Sequence, residues 1–123
     1  SHVSVGELLP QDLAEVLSTT ASGSDKTLAR GQAKVIASVW TRGDELCREF
    51  EVNDATGQTV VGIGCREDKG WRLNIAVAAP RTGEGFAPAS SLQAIDNYLG
   101  MIEAGEPLTA EEEAKALQQS PQR

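Results

Sequence analysis

The sequence predicts an α+β fold: a four-stranded antiparallel meander sheet preceded by one helix and followed by two. Three observations carry that expectation. Consecutive segments between residues 33 and 79 are β-branched or alternate apolar with polar side chains, the mark of strands with a buried face. Short clusters rich in Gly, Asp, Asn and Thr separate them at hairpin spacing. Helical stripes occur only on either side of this run. With 123 residues, 40% of them hydrophobic, the chain is long enough for one core and too short for two comfortable ones. One domain is therefore expected, with an N-terminal helix over 1–18, a loop over 19–32, the sheet over 33–79, C-terminal helices over 80–118 and a tail over 119–123.

In order, "LLPQDLAEVLSTTASG" reads as a short helix with Pro10 suited to its first turn, with Leu9, Leu13, Val16 and Leu17 on one stripe and Gly23 as its latest end. The run from Thr19 to Gln32 is small, polar and aperiodic, so it reads as a loop. "AKVIASVW" is the first strand, with Val35, Ala37 and Val39 facing one way and Ile36, Ser38 and Trp40 the other. After the turn "TRGD", Leu46, Phe50 and Val52 share a face that Arg48 interrupts. "TVVGIGC" is the third strand. "WRLNIAVA" is the fourth, with Trp71, Leu73, Ile75 and Val77 opposed to Arg72, Asn74 and Ala76. A helix then opens near Ser90 or Ser91 with Leu92, Ile95, Leu99 and Ile102 on one side, and Gly105 and Pro107 stop it. In "TAEEEAKAL", Thr109 and Glu112 have capping-box spacing, while the apolar face is only Ala114 and Leu117, which predicts a fraying helix.

Charge and cysteine content narrow the function classes. A net charge of −7 argues against a sequence-independent grip on nucleic acid or anionic lipid, which rewards Lys and Arg at each phosphate. No apolar run approaches the ~20 residues that span a bilayer, and the N-terminus lacks the basic-then-apolar order of a signal peptide. Ser1 and His2 ahead of Val3 have the look of a cloning remnant, in which case any anchor or export signal has been cut away.

Both cysteines lie in "DELCREFEVNDATGQTVVGIGCRED". If Cys47 faces Cys65, Val52 faces Val60, Phe50 faces Gly62 so that its ring covers bare backbone, and Asp54 to Gln58 form the connecting loop around Gly57. Directly opposed residues have Cα atoms close enough for a disulfide. A bridge closing that loop would stabilise by about 3 kcal/mol in the chain-entropy model and would imply an oxidising compartment. A redox dithiol is disfavoured because the pair is neither Cys-x-x-Cys nor helical. Zinc is disfavoured because His2 is the only further N or S donor. Buried free thiols remain the alternative.

Other constellations have plain readings. Glu49 and Glu51 share a strand face without a visible cleft beside them, as a solvated face would. Ser-His-Asp chemistry lacks a histidine to run it. "RGD" at Arg42–Asp44 coincides with a turn that favours those residue types. Gly62 and Gly64 do not complete a nucleotide fingerprint, since position 67 is Glu. Trp40 and Trp71 read as core or half-buried anchors rather than as a ligand cage. No catalytic, cofactor-binding or metal-binding residue set is expected.

The tokens "LCREFEV", "GCRED.GWRLNIAVA" and "FAPASSLQAIDNYLGMIEAGEPLTAEEEAKAL" resemble the C-terminal extracytoplasmic domain of proteobacterial membrane-bound anti-sigma factors, over about Val35 to Leu117, with a looser match in "VGELLPQDLAEVLSTTASG". The likeness is sharpest at Cys47, Arg48, Glu49 and Phe50, at Cys65 and Arg66, at Gly70 and Trp71, and at Pro88, Ala89 and Ser90. It implies a non-catalytic periplasmic sensory or regulatory domain of a single-pass inner-membrane protein, without a cofactor. Its partners would be a periplasmic signal or protein and, through a cytoplasmic part absent here, an extracytoplasmic-function sigma factor. The Cys-Arg-Glu to Cys-Arg hairpin ending in Gly-Trp is also similar to Gram-negative surface-antigen lipoproteins, which would imply a structural or adhesion module of the envelope. In the sensory case, the hairpin disulfide could act either as a redox switch or as a passive staple.

Overall fold

The computed structural model describes residues 3–80 and 89–119. Its elements are α1 (Gln11–Thr19), β1 (Asp25–Leu28), β2 (Gly31–Trp40), β3 (Leu46–Asp54), β4 (Gln58–Glu67), β5 (Gly70–Pro80), α2 (Ala89–Met101) and α3 (Ala110–Gln118). The class is α+β, with one N-terminal and two C-terminal helices. The sheet has five strands in the order β1-β2-β3-β4-β5, each antiparallel to its neighbour. The expected meander is thus present with one strand more than the four expected.

The extra strand is β1, within the segment read as a loop. It pairs Asp25 with Lys34 and Leu28 with Gly31, so Ala29 and Arg30 form a tight turn. Three of its four residues are exposed. A strand wetted on both faces has no apolar alternation to betray it, and its short, charged sequence suits a sheet edge. Gly31 is required there, because a Cβ at that position would lie 2.1 Å from the Asn53 carbonyl oxygen on β3.

Two bulges flank the central β3–β4 pair and exchange the faces of the outer strands. In β2 the register shifts between Val35 and Ala37, making Ile36 the extra residue. Val35 therefore shares its face with Trp40, while Val39 and Ile36 pack on the other side. In β5 the register shifts around Asn74, since Ile63 pairs with Ile75 but Gly64 with Leu73. Trp71 and Leu73 join one core and Ile75 and Val77 the other. The single apolar faces expected for these two strands are thus each split, because an inserted residue reverses every side chain beyond it.

Helices cover both faces. The first core gathers Leu9, Leu13, Val16 and Leu17 around α1, Ala116 of α3, and Ala33, Val35, Leu46, Phe50, Trp71 and Leu73 of the sheet. The second places Ile95 of α2 over Val39, Cys47, Val61, Ile63 and Cys65. The expected α1 stripe is buried as read. On α2, Ile95 is buried while Leu92 is 40% exposed. On α3 the expected face is met in part: Leu117 packs half-buried against the first core, but Ala114 is exposed, and the buried pair is Glu113 and Ala116. The capping box is present, with Glu112 N donating to Thr109 Oγ1 at 3.1 Å and Thr109 N donating to Glu112 Oε1 at 2.9 Å. The segment Gly6–Leu9 straps the start of β5, with Gly6 N donating to Leu73 O, Leu73 N to Glu7 O and Leu9 N to Trp71 O.

Candidate functional site

The β3–β4 hairpin carries most of the residues singled out from the sequence, and its register is the expected one: Cys47 opposite Cys65, Phe50 opposite Gly62, Val52 opposite Val60. Alternation then sends Cys47 and Cys65 to the α2 side and Arg48 and Phe50 to the α1 side. The two cysteines form a disulfide with Cα atoms 4.0 Å apart, and both are fully buried. Glu45 brings a carboxylate oxygen within 4.8 Å of both sulfurs. That grouping does not fit a metal, because the bond between the sulfurs consumes the thiolates a metal would need. Glu45 is engaged instead by Arg72, at 2.9 Å.

On the opposite face Arg48 is wholly buried. Its Nη1 donates to Leu17 O and its Nη2 to Thr20 O, each at 2.6 Å, while Nε donates to Ser38 Oγ at 2.7 Å. The cation thus sits at the C-terminal end of α1, where unpaired carbonyls and the helix dipole favour positive charge. Its counter-ion is Glu113 of α3, with Oε2 3.0 Å from Nη2. Glu113 in turn accepts from Ser38 Oγ at 2.5 Å, from Ser22 N at 2.8 Å and from Ser22 Oγ. One ion pair therefore ties together α1, the α1–β1 connection, β2, β3 and α3.

Electrostatics follow from this enclosure. Burial lowers the Arg48 pKa, against the pull of Glu113. Burial alone would raise the Glu113 pKa, but the hydrogen bonds from Ser22 and Ser38 and the charge of Arg48 outweigh it and hold the carboxyl below its ordinary value. Both groups stay ionised, and Ser38 is shut away from solvent. The arrangement clamps elements together rather than offering a reactive group to a substrate. Beside it a cleft of about 290 Å³ opens between α1 and α3, lined by Ser18, Thr19, Ala110, Glu113, Ala114 and Leu117 among others.

The remaining expected residues are placed as follows. Glu49 points to the α2 side, where burial and then the charge of Asp96 raise its pKa. Glu51 is half-buried, with Oε2 unpaired among the described residues. Phe50 lies against Gly62 so closely that a Cβ there would come 3.0 Å from its Cζ and 2.9 Å from Ile75 O. Arg66 donates from Nη1 to Ala116 O at 3.0 Å near the end of α3, and burial lowers its pKa. Gly70 turns the chain into β5 with φ 149°, and Trp71 is buried with Nε1 donating to Ser18 Oγ at 2.9 Å. Pro88 lies outside the described residues, and Ser90 belongs to the first turn of α2. In the "RGD" turn, exposed Arg42 pairs with exposed Glu103 at 3.0 Å.

Sequence reasoning missed Ser22, Ser38 and Glu113 as partners. The available signal was Arg48 itself: a cation on an apolar strand face demands a carboxylate from elsewhere in the chain. Among the three consecutive glutamates of α3, the fold selects Glu113, three residues before Ala116 on one helix face. No known protein family, no characterised protein and no solved structure matches this chain.

Proposed function

We propose that this chain is the extracytoplasmic regulatory domain of a membrane-bound anti-sigma factor, without catalysis of its own, acting on its sigma factor through a cytoplasmic part beyond this sequence. The observation that supports the reading most is the buried Cys47–Cys65 disulfide, which pins the hairpin carrying the Cys-Arg-Glu-Phe and Cys-Arg tokens. Such a bridge belongs in an oxidising compartment. The Arg48–Glu113 clamp adds a feature a signalling domain needs, namely a polar centre joining α1 and α3 to the sheet that a partner could bias.

The test is made on the full-length protein in its own cell. Alkylation of native material should leave Cys47 and Cys65 unmodified until denaturant and reductant are both supplied. Protease added outside the inner membrane should remove this domain while a cytoplasmic marker survives. Deleting the domain should change output from a promoter of the sigma factor that co-purifies with the cytoplasmic part. Free thiols in native protein, or a domain that is protected from external protease, would refute the placement. An external domain whose loss leaves every sigma-dependent promoter unchanged would point instead to a surface-antigen-like structural module.

A further inference from the structure

The centre that receives Glu113 is built almost wholly without the helix that supplies it. Arg48 is oriented by Leu17 O, Thr20 O and Ser38 Oγ, which belong to α1, its C-cap and β2. The other donors to the carboxylate are Ser22 and Ser38. The helix that fills it contributes few buried residues of its own. Glu113 and Ala116 are the buried residues of α3, Leu108 and Leu117 pack half-buried against the first core, a cleft of about 290 Å³ lies between the helix and α1, and its own capping box fixes its first turn. The segment leading to it is held by two backbone bonds to β2, from Gly105 N to Trp40 O and from Leu108 N to Ser38 O.

We propose that Arg48, Ser38 and Ser22 form a receptor for a carboxylate borne on a helix, that α3 fills it as a tethered ligand, and that an acidic helix of a partner protein takes its place. Exchange is favoured over simple opening, because departure of α3 alone would leave a desolvated guanidinium without a counter-ion. The chemistry of the replacement is specified by what α3 presents. A glutamate must enter the receptor, and a small residue three positions later must lie flat on the sheet where Ala116 sits, with its carbonyl reachable by Arg66. Tethering gives α3 the advantage of a high effective concentration, so the partner wins only where its own surface adds contacts along the cleft.

The experiment uses the full chain and a labelled peptide of residues 108–119, "LTAEEEAKALQQ". In the Glu113→Ala protein the tethered ligand lacks its carboxylate, and the peptide should bind at least tenfold more tightly than to the unaltered protein, weakening as salt is raised. A peptide with glutamine in place of Glu113 should lose at least tenfold. Should Glu113→Ala not fold, as judged by near-ultraviolet circular dichroism, the same measurement is made on Ala116→Arg, which displaces α3 and leaves every receptor side chain intact. Equal binding by altered and unaltered proteins would overturn the proposal, as would indifference to the peptide's carboxylate. Global unfolding of both variants would overturn it too, since the receptor would then not outlast its plug.

Discussion

At the scale of single residues, the strongest constraints are Arg48 and Gly62, and they act by different physics. Removing one partner of a buried ion pair leaves the other charged and unanswered, at about 3–5 kcal/mol, whereas replacing both by apolar groups is often neutral. Arg48→Met should therefore lower urea-unfolding stability by about that amount, and adding Glu113→Leu should recover most of it. A double variant no more stable than the single would show that the hydrogen bonds to Leu17 and Thr20, not the charge pair, hold the region. Gly62 is constrained by space. An added methyl group would press on the Ile75 carbonyl and the Phe50 ring, an overpacking expected to cost about 1–3 kcal/mol. The same denaturation measurement checks it, with Phe50→Leu as the second-site change that relieves the ring contact but not the carbonyl.

At the scale of elements, staples and caps can be tested separately. Reducing the disulfide, whose cysteines are 18 residues apart in sequence, should lower stability by about 3 kcal/mol, read as a shift in urea midpoint. Thr109→Ala should cost about 1 kcal/mol by removing the capping hydroxyl of α3. How much of each element was legible follows from whether its determinants are local. The β3–β4 register, the α1 stripe and the α3 cap depend on residues a few positions apart or on one pairing sum, and the structure reproduces them. The bulges at Ile36 and Asn74 leave no compositional trace, because one inserted residue preserves apolar content while reversing the faces beyond it. Strand β1 escaped notice because it is exposed and short. The buried face of α3 was illegible for a third reason: Glu113 is inside only because Arg48, far away in sequence, is already there.

At the scale of the whole molecule, acid should act on stability through two carboxyls with opposite signs. The Glu113 pKa is depressed in the folded state by its serine donors and Arg48, with burial opposing, so as pH falls the unfolded chain takes up its proton first. Its contribution is complete above the ordinary carboxylate value of ~4.3 and is lost as pH falls through the lower folded value. The Glu49 pKa is raised by burial and Asp96, so the folded state protonates first and the penalty of its charge is relieved as pH falls through the raised value towards the ordinary one. The two windows lie on opposite sides of that ordinary value, and loss of net negative charge from −7 reinforces the upper one by reducing self-repulsion. Stability should accordingly rise slightly on mild acidification and then fall. Urea titrations at constant ionic strength separate the contributions. Glu49→Gln should stabilise at pH 7 and lose that advantage by the ordinary carboxylate value. Glu113→Gln should destabilise at pH 7, by an amount that stays constant down to that value and shrinks only below it. A Glu113→Gln deficit that already disappears between pH 7 and pH 5 would mean that the carboxyl is not held ionised by Arg48, and the clamp would have to be redrawn as a neutral hydrogen-bond network.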